Sequence, residues 1–243
     1  MGQRLTDSKF YRRIHDFIVG EAGLLAAIVL ISGLVLAFLR LADAVQEGGT
    51  AAFDEAILLM FRTPGDVNQV IGPLWVQEMV RDVTALGSFA LLGLIVVGVC
   101  IYLVLARMQA AALLVIVSVL SGTVLSTLLK MGYDRPRPDL ATMSHQFTAS
   151  FPSGHAMLSA VTFLTIGALL ARLAPTRALQ FYAISAALLL TLMVGISRLY
   201  MGVHYASDVL AGWCLGAAWA LLCSAVALML ERRGTIVKAD EAR

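Results

Sequence analysis

Charge is scarce in this chain. Asp, Glu, Lys and Arg make up 14% of its 243 residues, against about 25% in an ordinary soluble domain. A net charge of +2 implies neither a nucleic-acid partner nor a strongly basic surface. Cysteine is sparse too: Cys100, Cys214 and Cys223 stand singly in apolar runs, without the paired spacing of a metal knuckle or a redox motif, and a structural role is expected for each. Repeats of solenoid length and low-complexity tracts are both missing, so array architectures fall away.

What fills the chain is apolar: 59% of residues are hydrophobic and the mean hydropathy is +0.84. Six runs are long enough to cross a hydrocarbon core of about 30 Å, roughly at 20–41, 85–106, 109–130, 154–173, 178–197 and 206–230. With one long loop and otherwise short ones, residues 1–243 are expected to form a single all-α domain of a polytopic membrane protein. The first run is too long, and too poor in a small-residue cleavage pattern, for a removable signal peptide, and is expected to stay as a helix.

The cations sort by side. Arg4, Lys9, Arg12, Arg13, Arg107, Arg172, Arg177, Arg232, Arg233, Lys238 and Arg243 fall on one side of the six runs, and the positive-inside rule puts that side, with both termini, in the cytoplasm. The other side carries a long loop, roughly 42–84, rich in acidic residues. Within it "AAFDEAILLMFR" places Phe53, Ile57 and Met60 or Phe61 on one helical face with Asp54 and Glu55 turned away, and "IGPLWVQEMV" spaces Trp75 and Met79 four apart, so two interfacial helices are expected.

Ionisable groups at membrane depth are costly, which makes the few present the best functional candidates. They form three clusters: "KMGYDRPRP" (130–138) ending the third run, "FPSGH" (151–155) opening the fourth, and "SRLYMGVHYASD" (197–208) entering the sixth. With alternating helix directions, all three emerge on the same outer face. Together they offer the cations Lys130, Arg137 and Arg198, the histidines His155 and His204, the carboxylate of Asp208 and a helix N-terminus at Ser153 and Gly154, a set suited to a phosphate group. His204 and Asp208 are an i, i+4 pair, so the carboxylate can fix the imidazole tautomer and leave the other nitrogen free to attack phosphorus. His155 can donate a proton to the leaving oxygen. The row His204, Asp208, Gly212, Gly216 and Ala220 repeats every four residues and is expected to face protein, in the same chain or in a second subunit, which leaves a homodimer open.

The three motifs read Lys-x6-Arg-Pro, Pro-Ser-Gly-His and Ser-Arg-x5-His-x3-Asp. On them the chain resembles the type 2 phosphatidic acid phosphatase superfamily, membrane lipid phosphate phosphatases related to the vanadium haloperoxidases. The resemblance implies that His204 forms a phosphohistidine, that Asp208 orients it and that His155 protonates the leaving group. It implies phosphate contacts from Lys130, Arg137, Ser153, Gly154 and Arg198. Neither a metal nor another cofactor is implied, and carboxylate clusters able to hold Mg²⁺ are missing from the outer loops. The expected substrate is a membrane lipid phosphate or diphosphate of the phosphatidic acid, phosphatidylglycerol phosphate or undecaprenyl diphosphate class, and the setting is a lipid bilayer, a bacterial inner membrane with the site facing outward. A lipid phosphotransferase using the same phosphohistidine and a non-catalytic lipid or anion transporter are the alternatives. Arg135, in a variable position of the first motif, is left with at most a secondary phosphate or headgroup role, and His15 and His145 with solvated ones.

Overall fold

In the computed structural model the backbone is described for residues 2–140 and 148–232, and side chains for 22–140 and 148–231. His15 and His145, and the cations at the two ends of the chain, lie outside the described side chains. Helix α1 is Gly2–Gln46, α2 Ala51–Leu59, α3 Leu74–Ala85, α4 Phe89–Leu105, α5 Gln109–Gly132, α6 Gly154–Leu173, α7 Arg177–Tyr200 and α8 Ala206–Arg232. Between α2 and α3 lies a small antiparallel hairpin of β1 (Arg62–Thr63) and β2 (Asp66–Val70).

Among the described residues five helices have the length and composition of membrane spans: Ala22–Gln46, Gln109–Gly132, Gly154–Leu173, Arg177–Tyr200 and Ala206–Glu231. The expected span at roughly 85–106 is occupied by α4, which passes the same test as a sixth span when taken with α3, from which it is bent by 52° across a short break. The break has a local cause. Ser88 caps α4, its hydroxyl accepting from the Leu91 N–H at 3.3 Å, and so starts a new helix where hydropathy alone runs on. Among the described residues the regular structure is helical apart from the hairpin, whose Pro64-Gly65 turn puts Gly65 at φ +90°.

Helix α6 is the centre of the bundle. Residues 156–163 along it are all buried, while α4, α5 and α7 expose Leu94, Val97, Leu120, Val124, Leu188 and Leu192 as a lipid-facing coat. Glycines set how closely its neighbours approach. A Cβ on Gly212 would lie 2.7 Å from the Ser153 carbonyl oxygen, and one on Gly216 would lie 2.5 Å from that of Met157. The small-residue row of α8 therefore packs on α6 of the same chain. On the other flank, Phe151 is fully buried with Phe38 of α1 stacked on it at 6.0 Å and Tyr133 edge-on at 5.0 Å.

The two expected helices of the long loop are α2 and α3. Phe53 on α2 and Met60 at its C-cap, and Trp75 and Met79 on α3, are exposed, as an interfacial setting requires. Asp54, turned away from that apolar face, is driven into the protein and is 1% exposed.

Candidate active site

The end of α5, the start of α6 and the α7–α8 turn meet at one end of the bundle. Pro136 and Pro138 prevent α5 from continuing, and the chain after it is held extended against the segment before α6 by the Ser150 N–H donating to the Arg135 carbonyl at 2.9 Å. At α6, Ser153 is the N-cap, and its own N–H donates to the Asp208 carbonyl at 3.0 Å, tying the first turn of α6 to that of α8. Gly212 makes the tie feasible, since any side chain there would meet Ser153. In the α7–α8 turn Gly202 has φ +66° and lies against Arg62, which donates to the Tyr200 carbonyl at 2.9 Å. The hairpin thereby braces the turn that carries His204.

Lys130, Arg137, Gly154, His155 and His204 line one cavity of about 530 Å³, together with Gly87, Phe89, Thr127, Met131 and Leu158. Five of the eight expected site residues are thus brought to one space. Asp208 sits behind His204, fully buried. Ser153 is also fully buried and works as a cap, its hydroxyl accepting from the Ala156 N–H at 3.5 Å. Arg198 is 2% exposed and does not line the cavity. Its Nε and one terminal nitrogen are buried without a hydrogen-bond partner among the described residues, an expensive arrangement unless an anion supplies the acceptors.

The two lining cations hold carbonyls of the preceding loop. Lys130 Nζ donates to the Ala149 carbonyl at 2.9 Å, and Arg137 donates to those of Thr148 at 2.9 Å and Val203 at 2.8 Å. Arg137 also reaches His204 Nε2 at 3.1 Å. That contact fixes the tautomer. A guanidinium can only donate, so Nε2 bears the lone pair and the ring proton sits on Nδ1, which faces Asp208 Oδ2 at 3.4 Å and the Ser150 hydroxyl at 3.3 Å. Asp208 Oδ2 also accepts from Ser150 Oγ at 2.5 Å and from the Tyr205 N–H at 2.9 Å. The imidazole is therefore held with its unprotonated nitrogen toward the cavity and the cations.

Burial pulls the His204 ring down to about 3; Asp208 opposes this, and Arg198 and Arg137 add to it. The ring is neutral at neutral pH. An unfolded histidine takes a proton near 6.5, so between about 6.5 and the lowered folded value the unfolded state binds more protons and stability falls as pH falls. Thermal unfolding in detergent is expected to show a melting temperature that drops as pH is lowered below about 6.5, at up to about 1.4 kcal/mol per pH unit from this one group. His204→Asn is expected to flatten that slope.

Several members of the site carry no motif signal. Ser150 lies just outside the second motif, and Ser207 and Tyr205 are in variable positions of the third. Asp54 stands far away in α2, yet accepts from the Ser207 N–H at 2.8 Å and from its hydroxyl at 2.6 Å. Arg135 contacts no cavity-lining group. It pairs with Asp54 at 2.8 Å and Asp208 at 2.6 Å, partners that its place in the first motif does not suggest.

Residues 111–232 match the PAP2 superfamily. The chain belongs to that superfamily. It is 32% identical over 191 residues to phosphatidylglycerophosphatase B of Bacillus subtilis, an alignment covering 75% of this chain and 87% of that one. An undecaprenyl-diphosphatase of Sulfolobus acidocaldarius is 35% identical over 92 residues, 38% of each chain. The crystal structure of a transmembrane PAP2-type phosphatidylglycerolphosphate phosphatase from Bacillus subtilis superposes with a TM-score of 0.76 at 30% identity, covering 83% of this chain and 98% of that one. The PAP2 protein described here is accordingly an integral-membrane lipid phosphate phosphatase.

Proposed function

We propose that this enzyme hydrolyses a lipid phosphate monoester, of the phosphatidylglycerol phosphate class, through a phosphohistidine on His204. The observation that carries this reading is the ring geometry: Nε2 unprotonated toward the cavity and Arg137, Nδ1–H toward Asp208. The substrate phosphoryl group enters between His204 and the cations and draws Lys130 and Arg137 from their loop carbonyls, with Arg198 and the free first-turn N–H groups of Gly154 and His155 supplying further donors. Nε2 attacks phosphorus as the ester P–O bond breaks. His155, which takes up a proton when the phosphate dianion enters beside it, gives that proton to the leaving lipid oxygen, which departs as an alcohol. His155 then takes a proton from water, whose oxygen attacks phosphorus, the P–N bond breaks, and inorganic phosphate leaves with His204 neutral again.

The preference for one phosphate follows from the lining. Among the described residues its cations are Lys130 and Arg137, and the remaining wall offers Phe89, Met131 and Leu158, which suit glycerol and acyl groups better than a second phosphate. The name of the Bacillus subtilis relative supports the same class. Metal has no place in the reaction, because the carboxylates around His204 are engaged: Asp208 with Arg135, Ser150 and Tyr205, and Asp54 with Arg135 and Ser207. The site is read as opening on the outer side of a bacterial inner membrane with both termini cytoplasmic, on the cation distribution.

Purified enzyme assayed against phosphatidylglycerol phosphate, phosphatidic acid and undecaprenyl diphosphate in the presence of EDTA tests this directly. Phosphate release from the monoesters, undiminished by the chelator and blocked by vanadate, is the expected result. Loss of activity on chelation, or turnover of the diphosphate alone, would refute it, and transfer of the phosphoryl group to a lipid alcohol in place of water would make the enzyme a phosphotransferase.

A further inference from the structure

We propose that Asp54 and Arg135 are a positioning pair for the nucleophile, holding Asp208 so that it remains an effective anion toward His204; the inference rests on the phosphohistidine reading above. Neither residue lines the cavity of His204; both line a neighbouring one of about 590 Å³. Arg135 splits one terminal nitrogen between Asp208 Oδ1 at 2.6 Å and the Ser207 hydroxyl at 2.7 Å, and gives the other to Asp54 Oδ2 at 2.8 Å. Its guanidinium lies 4.3 Å from the centroid of the Tyr205 ring, which fixes its plane. Asp54 in turn takes the Ser207 N–H, one of the first-turn donors of α8 that no helix carbonyl can serve, and the Ser207 hydroxyl.

The arrangement has a definite electrostatic sense. Held at Oδ1 by Arg135, Asp208 can present only Oδ2 to the Nδ1–H of His204. An arginine alone, however, would neutralise the carboxylate on which the ring depends when it turns cationic at the forming N–P bond. Asp54 offsets that. Two carboxylates share one guanidinium, so a net negative charge is left beside the imidazole in a buried setting where such charge acts strongly. Asp54 is 1% exposed, and a buried carboxylate 153 residues away from its serine partner costs desolvation that surface packing of α2 would not require. Helix α2 thus contributes to the chemistry from outside the three motifs.

Two substitutions test the pair. Asp54→Asn keeps an acceptor for the Ser207 N–H but removes the charge and sets an amide against Arg135. Arg135→Lys keeps the charge but loses the fork, and is the milder change should the first fail to fold. Each is expected to lower kcat about 10- to 100-fold while KM for the lipid stays within about twofold, since neither group meets substrate. Nitrogen-labelled histidine spectra supply a reading independent of turnover: in the wild type the His204 Nδ1 proton resonates far downfield, as a hydrogen bond to an anionic Asp208 requires, and in either variant it moves upfield as that bond weakens. Folded variants with wild-type kcat and an unmoved Nδ1 proton would overturn the pair, as would a loss confined to KM. A wild-type protein that releases no phosphate but whose Nδ1 proton moves in the variants would overturn the phosphatase reading and uphold the pair.

Discussion

His204→Ala is expected to leave a folded protein whose kcat is lower by about 10⁴- to 10⁶-fold, the loss seen when an enzyme is deprived of its covalent nucleophile. The fold survives because Asp208 Oδ2 keeps two other donors, the Ser150 hydroxyl and the Tyr205 N–H, when the ring is gone. The residual rate is small because the cations position the phosphoryl group without anything to attack it. Water in the vacated space cannot replace the imidazole, because its nucleophilicity toward phosphorus is far lower. The check is phosphate release from a lipid phosphate monoester by detergent-purified wild type and variant of matched monodispersity. A variant within tenfold of wild type would remove His204 from the nucleophile's place.

Replacing His155 by Ala separates the two halves of the reaction. His155 lines the same cavity as His204, with Gly87 close beside it: a Cβ on Gly87 would lie 3.3 Å from the His155 ring. Its proposed work is to protonate the leaving lipid alkoxide and then to deprotonate water, each worth about 10² to 10⁴ in rate. Phosphate release from a lipid phosphate is therefore expected to fall about 10³-fold in His155→Ala. An aryl phosphate with an acidic leaving group needs no proton in the first step. With it, the variant is expected to give a burst of phenol equal to one turnover, followed by slow phosphate release as the phosphoenzyme waits for unassisted water. Burst and steady phases are read by rapid mixing. Equal losses for lipid and aryl substrates, with no burst, would mean that His155 serves binding alone.

The residues that line the cavity were legible because the chain is so poor in charge. In a setting where an ionisable side chain is costly, Lys130, Arg137, His155 and His204 stand out, and the helix count with alternating direction brings their segments to one face. The close packing of α8 was legible as well, in the spacing of Gly212 and Gly216. What escaped is what depends on non-local partners. Asp54 is one of several acidic residues in the long loop, and nothing in its neighbours distinguishes it from Glu55, which stays exposed. Arg135 looked like a spare cation because its two carboxylates arrive from α2 and α8, 81 and 73 residues away. The bend between α3 and α4 falls just inside the start of the expected apolar run, where Gly87 and the capping Ser88 mark it: a Cβ at Gly87 would lie 2.4 Å from Val194 of α7. The hairpin was missed because β1 has two residues, too few for an alternation of period two to show.

The most direct measurement is to trap the covalent intermediate. Enzyme mixed with a labelled lipid phosphate monoester and quenched during the first turnover is digested and mapped by mass spectrometry under alkaline conditions, where a phosphoramidate survives. One phosphoryl group on His204, formed and lost at rates that account for kcat and absent from His204→Ala, is the expected result. Turnover at full rate with no phosphorylated residue at any quench time, or with the label on another side chain, would contradict the account.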